Sequence, residues 1–298
     1  MQTSSEAALP ESSGPDSASP DPASPEAAQD ELSGAEAAAR DPRSRELAAN
    51  LAAVHARIDR AMAAVGRRDR PQLIVVTKFF PAADVVRLHR LGVRDVGENR
   101  DQEAAAKAAE VTQLLASAPV PGATPSGTAD AAPNPPDPAP LHWHFIGQLQ
   151  SNKARSVIGY ADHLHSVDRT SLLKALVKGA PAADDRPLTC LIQVDLRDPV
   201  PADGRGGADP ASIPDLAERI AAAPGLVLGG LMAVAPLDEP AAPAFRRLAE
   251  LSAQLRVAHP KADMISAGMS GDLEEAVAHG ATHLRVGRDV LGERPLQR

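Results

Sequence analysis

Short apolar runs without a helical period alternate along this chain with longer stretches whose apolar residues recur every three or four positions. The runs fall at residues 73–78, 93–98, 143–147, 163–168, 188–196, 227–235, 263–267 and 283–287. Each has strand length and is rich in β-branched or other apolar residues, as buried strands are. Helical spacing marks residues 45–65 ahead of the first run, then 82–91, 170–179, 213–223, 241–258 and 271–279 between later ones. Eight strand–helix units predict an α/β fold, a single (β/α)8 TIM-type barrel preceded by an N-terminal helix. An open doubly wound sheet is the alternative, but no Gly-x-Gly-x-x-Gly follows the first run, and the barrel is preferred.

Two segments break the alternation. Residues 1–44 are Ala, Ser, Pro, Asp and Glu without apolar periodicity, which predicts a disordered acidic tail ahead of a domain spanning 45–298. Nine acidic residues and two arginines lie in that tail, so it carries most of the net charge of −8 and leaves the remainder close to neutral. The folded part therefore shows no basic field for nucleic acid. Residues 117–140, rich in Pro, Gly, Ala and Asp, read as a flexible insertion. No leader and no apolar run of bilayer length stands out, so a cytoplasmic protein with no membrane contact is expected, and it is expected to be a monomer. With aromatics at only 2%, the core must be built from Ala, Val, Leu and Ile, and the lone Cys190 reads as a small buried hydrophobe.

Candidate chemistry sits where the first run stops. Of 31 basic residues only six are lysine, and one of them, Lys78, ends the run Leu73-Ile-Val-Val-Thr-Lys. A partly desolvated lysine can become a neutral nucleophile, which arginine cannot; a side chain that merely snorkels from a strand end is the plainer alternative. In a barrel the polar residues at the other strand ends converge on the same mouth: Glu98 and Asn99, His144, Ser166 and Asp168, Ser266, Ser270 and Gly271, then Arg285, Gly287 and Arg288. Barrels commonly hold a phosphate with the loops after strands seven and eight and a nearby helix start. Ser270-Gly271 at a helix opening and Gly287 fit that use, with a plain N-cap as the alternative for Ser270 and with Asp272 competing for the same helix end. A lysine and a phosphate cradle in one mouth suggest pyridoxal 5′-phosphate.

These residues also resemble a known family. Thr77-Lys78, Gly97-Glu-Asn99, Trp143-His-Phe-Ile-Gly-Gln-Leu-Gln-Ser-Asn-Lys153, His165-Ser-Val-Asp168, Gly268-Met-Ser-Gly-Asp272 and Leu284-Arg-Val-Gly287 follow the order found in the pyridoxal phosphate homeostasis proteins, the YggS or PROSC family. The resemblance covers about residues 45–294 and implies the barrel of alanine racemase standing alone. It implies that Lys78 carries the cofactor as a Schiff base and that Ser270, Gly271, Gly287 and Arg288 hold its phosphate. Arg285 would face the pyridine nitrogen and Asn99 would lie near the ring. Two departures are Arg100, where the family often has tyrosine, and the length of the 117–140 insertion. The function implied is buffering and carrying the cofactor, with apo-enzymes that use it as partners, and not catalysis.

Two other classes compete. His142 with His144, and His163 with His165, place imidazoles at a spacing that metal-dependent barrel hydrolases use, whereas the cofactor reading expects no metal. An amino-acid racemase would share cofactor and fold but needs a second acid/base opposite the lysine. Only eleven residues follow Gly287, so that group has no evident source, and this too favours a carrier. A permanently charged Arg285 at the ring nitrogen would further hold back carbanion chemistry, unless it instead pairs with Asp168 or Asp289 at the barrel mouth.

Overall fold

The computed structural model describes residues 41–117, 140–180, 186–197, 207–236 and 239–294. Eight parallel strands close into a barrel in chain order, with the last strand pairing back onto the first. They are β1 Gln72–Val76, β2 Asp95–Glu98, β3 His142–Phe145, β4 His163–Val167, β5 Leu188–Gln193, β6 Leu226–Met232, β7 Met264–Ser266 and β8 His283–Val286. The helices are α1 Pro42–Ala64, α2 Ala82–Arg90, α3 Asp101–Ala116, α4 Ala154–Ile158, α5 Thr170–Gly179, α6 Ile213–Ala221, α7 Ala241–Ala258, α8 Leu273–Ala278 and α9 Arg288–Leu291. The single barrel with an N-terminal helix is thus the observed architecture. The expected tail and insertion lie almost wholly outside the described residues.

Strands covered on both faces must be apolar throughout, and β1 satisfies this with Leu73, Ile74, Val75 and Val76 all buried. Between strands and helices the core is aliphatic, as the scarcity of aromatics requires. Inside the barrel, small residues make room for large neighbours. A Cβ on Gly97 would press on Ile74 and Ile146, and one on Gly229 would press on Thr189 and Leu191.

The N-terminal helix starts at Pro42, ahead of the expected Arg45. Proline suits the first turn, and the Asp41 side chain caps it by accepting the Arg43 N–H at 3.2 Å. Leu47, Leu51, Val54, Ile58 and Ala61 form one stripe, recurring every three or four residues, that packs α1 against α8 and α9. At roughly 1.5–3 kcal/mol for each large aliphatic side chain buried, that stripe holds the helix firmly. Polar side chains add direction. Asn50 donates to the Val290 carbonyl at 3.0 Å and Arg43 to the Leu291 carbonyl at 3.0 Å. The helix therefore buttresses the loops that follow β7 and β8.

One backbone contact is close enough to test the closure of the sheet. Gly230 in β6 has φ +145°, and a Cβ there would lie 2.1 Å from the Met264 carbonyl oxygen of β7. Gly230→Ala combines strain with a clash against backbone that cannot move without parting two strands. It should destabilise the protein by more than about 3 kcal/mol. Urea unfolding checks this, and a loss under about 1 kcal/mol would refute it.

Candidate functional site

The seven candidate residues fall on one arc of the mouth, at the ends of β7, β8, β1 and β2, which are consecutive neighbours in the barrel. Lys78 stands two residues past the end of β1. Gly287 flanks it from β8, where a Cβ would come within 3.1 Å of the Val76 carbonyl oxygen, and Asn99 flanks it from β2. The Asn99 backbone is set by Gly147: a Cβ at Gly147 would lie 2.2 Å from the Asn99 oxygen, so only glycine lets the two loops touch.

Lys78 is half-buried. Burial lowers its amine pKa first, and the Arg294 and Arg100 charges lower it further against an opposing pull from Glu98. Glu98 is engaged through one oxygen, while its Oε2 is buried without a partner. Its Oε1 accepts from Thr77 Oγ1 at 2.7 Å and from Lys107 Nζ at 2.6 Å, and Lys107 also donates to the Thr77 carbonyl. The next residue, Phe79, takes φ 70°, a left-handed conformation that costs a side-chain-bearing residue about 1–3 kcal/mol. Its ring centroid lies 6.0 Å from Lys78 Nζ, 5.1 Å from the Arg100 guanidinium carbon and 5.0 Å from that of Arg294. Three cationic side chains thus gather at one aromatic ring, and repulsion from the two arginines acts on the only one of them that can lose its proton.

The loop after β7 differs from expectation. Ser270 and Gly271 lie in a turn and do not open the helix; α8 begins at Leu273 with Asp272 at its N-cap position. Asp272 stands at that helix end as a carboxylate, and its Oδ1 accepts the Met269 N–H at 2.6 Å rather than an N–H of α8. An anion here would meet the turn N–H groups of Ser270 and Gly271, which have no acceptor among the described residues. Arg57 of α1 holds this turn to the neighbouring one: it donates to the Ser270 carbonyl at 3.1 Å and to Asp289 Oδ2 at 2.5 Å. Exposed Arg288 begins α9 beside it.

Arg285 is 4% exposed and lies inside the barrel. Neither expected salt bridge forms, since Asp168 pairs with Arg169 and Asp289 with Arg57. Arg285 donates instead to Ser266 Oγ at 2.6 Å and to the Ala233 carbonyl at 2.9 Å, both neutral acceptors. Burial pushes its pKa down to about 10, still leaving it charged at neutral pH. A buried cation with no salt-bridge partner, helped only by the charge of Asp272, and with spare N–H groups, is ready for an electron-rich ligand. Buried oxygens at the mouth, among them Glu98 Oε2, Asn99 Oδ1 and Ser166 Oγ, likewise have no partner. This arrangement suits an anionic ligand with an electrophilic carbonyl for Lys78.

The histidines do not form a metal site. His144 and His165 bond to each other, Nδ1 to Nε2 at 2.9 Å, with Asp95 and Ser266 at the outer nitrogens. His163 stacks on His144 with centroids 4.3 Å apart. Among the described residues no group of three or more His, Cys, Asp or Glu is arranged to hold a metal. His142, His163 and His283 instead line a cavity of about 570 Å³ at the strand starts, the opposite end of the barrel from Lys78. Cys190 is buried, which pushes its thiol up to about 12. The sequence reading missed Lys107 as the partner of Glu98 and Arg57 as the clamp on the β7 loop. A lysine nine residues beyond a buried glutamate, and so on the following helix, was the available signal for the first.

Burial holds His283 near a pKa of about 4 and His163 near about 3, below the ordinary 6.5. A ring kept neutral in the fold takes its proton first in the unfolded chain, so stability falls as pH drops below 6.5 and levels off only below the folded pKa. From pH 7 to 5 each ring should cost about 2 kcal/mol. Urea unfolding at the two pH values measures this, and His283→Asn should shrink the difference. Equal stability at pH 7 and pH 5 would contradict the assignment.

Comparison with known proteins gives concordant matches. The family model for the alanine racemase N-terminal domain matches residues 49–295. The pyridoxal phosphate homeostasis protein of Mycobacterium tuberculosis H37Rv is 40% identical over 270 residues, covering 87% of this chain and 97% of its own. The protein of the same name from Pseudomonas aeruginosa is 38% identical over 83% and 96% of the two chains. Among solved structures, PipY of Synechococcus elongatus with PLP bound superposes with TM-score 0.61 at 32% identity, covering 83% of this chain and all of its own. Alanine racemase of Corynebacterium glutamicum, at 15% identity and TM-score 0.53, shares the fold over 85% of this chain and 62% of that one.

Proposed function

We propose a function from one premise: the chain belongs to the family of the alanine racemase N-terminal domain and, within it, to the pyridoxal phosphate homeostasis proteins. It binds pyridoxal 5′-phosphate reversibly, attached as a Schiff base to Lys78, and buffers and carries it for enzymes that need it. The observation that carries this reading is the placement of Lys78, a half-buried lysine at the mouth beside Arg100 and Arg294, with its pKa lowered by burial. When bound, the cofactor supplies an aldehyde that condenses with a lysine amine and a ring that withdraws electrons.

The residues fit that group. Lys78 offers the amine. Ser270 and Gly271 offer unengaged N–H groups to the phosphate, while Gly287 leaves room for it and Arg288 adds charge. Asn99 would lie near the ring, and Arg285 would offer an N–H to the pyridine nitrogen. Because an arginine keeps its proton, that nitrogen would accept a hydrogen bond without being protonated, and the ring would stay a weak electron sink. Binding therefore does not lead on to rapid loss of a substrate α-hydrogen. The resulting protein is a monomeric cytoplasmic carrier whose partners are the cofactor and the apo-enzymes that accept it.

Borohydride treatment of the cofactor-loaded protein should leave a pyridoxyl group on Lys78, read by peptide mass mapping. Lys78→Ala should abolish both the adduct and transfer to an apo-enzyme. With L-alanine in deuterium oxide, NMR should show α-hydrogen exchange far slower than about one per second. An adduct on Lys107 or Lys153 would refute the attachment site, and exchange at enzymatic rates would replace the carrier with a racemase.

A further inference from the structure

Polar groups inside a barrel must satisfy one another, and here the order in which they do so can be worked out. Ser266 Oγ lies 2.9 Å from His165 Nδ1, His165 Nε2 lies 2.9 Å from His144 Nδ1, and His144 Nε2 lies 2.9 Å from Asp95 Oδ1. Gln72 donates to the other Asp95 oxygen, while Arg285 donates to Ser266 at 2.6 Å. Ser266 and His165 are wholly buried and His144 is 1% exposed. Burial works against the Asp95 carboxylate, but the His144 and Gln72 hydrogen bonds prevail and hold its pKa below the usual range.

The two ends of this series have fixed roles. A guanidinium only donates, and an ionised carboxylate only accepts. One assignment then leaves nothing unpaired. Ser266 accepts from Arg285 and gives its own proton to His165 Nδ1. His165 gives its Nε2–H to His144 Nδ1, and His144 gives its Nε2–H to Asp95. The reverse assignment puts a proton on both nitrogens of His144 and turns His165 Nδ1–H toward Ser266. It leaves the Ser266 hydroxyl proton without an acceptor among the described residues. It also adds a second cation to a core that already holds Arg285. Each of these costs free energy in a dry interior.

We propose that Asp95, His144, His165 and Ser266 are positioning residues for Arg285. They form a one-way hydrogen-bond chain from the start of β2 through the barrel to β8. The chain fixes the guanidinium by its inner edge, so that its remaining N–H groups are presented to the ligand. Because every proton in it is directed toward Asp95, it offers the ligand no proton from the core. The role toward the ligand rests on the proposed function; the direction of the chain does not.

Two measurements on the full chain separate those parts. Long-range 15N–1H spectra of protein labelled at histidine, assigned with His144→Gln and His165→Gln, read the tautomers at pH 7 without cofactor. His144 and His165 should each carry a single proton on Nε2; a proton on His165 Nδ1, or two on His144, overturns the chain. Titration with pyridoxal phosphate then compares Ser266→Ala with Ser266→Thr. The alanine variant should bind about tenfold more weakly, the loss of roughly one hydrogen bond, and shift the absorbance maximum of the bound cofactor. The threonine variant keeps the hydroxyl and should restore both within about twofold, and competition by inorganic phosphate should be unchanged in either. An alanine variant that binds and absorbs like the parent overturns the positioning role, and so does a threonine variant no better than alanine. A parent that does not bind pyridoxal phosphate defeats the proposed function, while the tautomers still decide the chain's direction.

Discussion

A guanidinium buried inside a barrel is the constraint around which this site is built. Moving such a charge from water into the interior costs several kcal/mol even after relaxation. No carboxylate forms a salt bridge with Arg285, and the charge of Asp272 offsets the burial only in part. Its fixed acceptors are a hydroxyl and a peptide carbonyl, drawn from the end of β7 and from just beyond β6. Its own backbone N–H bonds to the Gly268 carbonyl at 2.9 Å, which ties the β7 loop to the same point. Three consecutive units of the barrel are therefore registered on one side chain, and a ligand with electron density to offer gains what the protein leaves unsupplied.

The same region depends on a helix that is no part of the eightfold repeat. Without α1, the turns after β7 and β8 would be joined only through short helices of six and four residues. Arg57 bridges the Ser270 carbonyl and the Asp289 carboxylate, and also pairs with Glu274 on α8. Most of these contacts are partly exposed, so each contributes modestly. Their effect comes from being mounted on an apolar stripe that cannot slide without exposing Leu47, Leu51 and Ile58. Packing energy is spent in one place to fix geometry in another.

How much of this could be read in the sequence follows from what local patterns encode. The apolar runs show where strands lie, because a strand buried on both faces has no other composition. The closure into eight units follows from their count. Lys78 was legible because the run before it leaves a lysine little choice but the strand end. The starts of α1 and α8 were misjudged by a few residues, since Asp41 and Asp272, not the expected residues, occupy the capping positions. What the pattern could not carry was pairing across the barrel. His144, His165 and Ser266 were all visible as polar residues in apolar strands. Their hydrogen bonds join residues 21 and 101 positions apart, and only the register of the closed sheet brings them into line. Lys107 was hidden for the same reason: its helix looks solvated until Glu98 is seen beneath it.

Positive charge does two opposite things at this mouth, and the difference lies in which groups can lose a proton. Burial, with Arg294 and Arg100 beside it, lowers the Lys78 pKa, which eases loss of the proton that a nucleophilic amine must shed. Lys107 engages one Glu98 oxygen, and the pull of Glu98 on Lys78 offsets the lowering only in part. Arg285 cannot respond in that way and stays charged; in the proposed binding mode it would deny a ring nitrogen its proton. Ready attachment combined with a restrained ring suits a protein that captures an aldehyde cofactor and gives it up again. A barrel with the same lysine but an acid facing the ring nitrogen would attach the cofactor equally well and would also strengthen it as an electron sink. On the proposed function, the distinction between holding the cofactor and using it would rest less on the presence of the lysine than on Arg285, which Asp95, His144, His165 and Ser266 are proposed to keep in place.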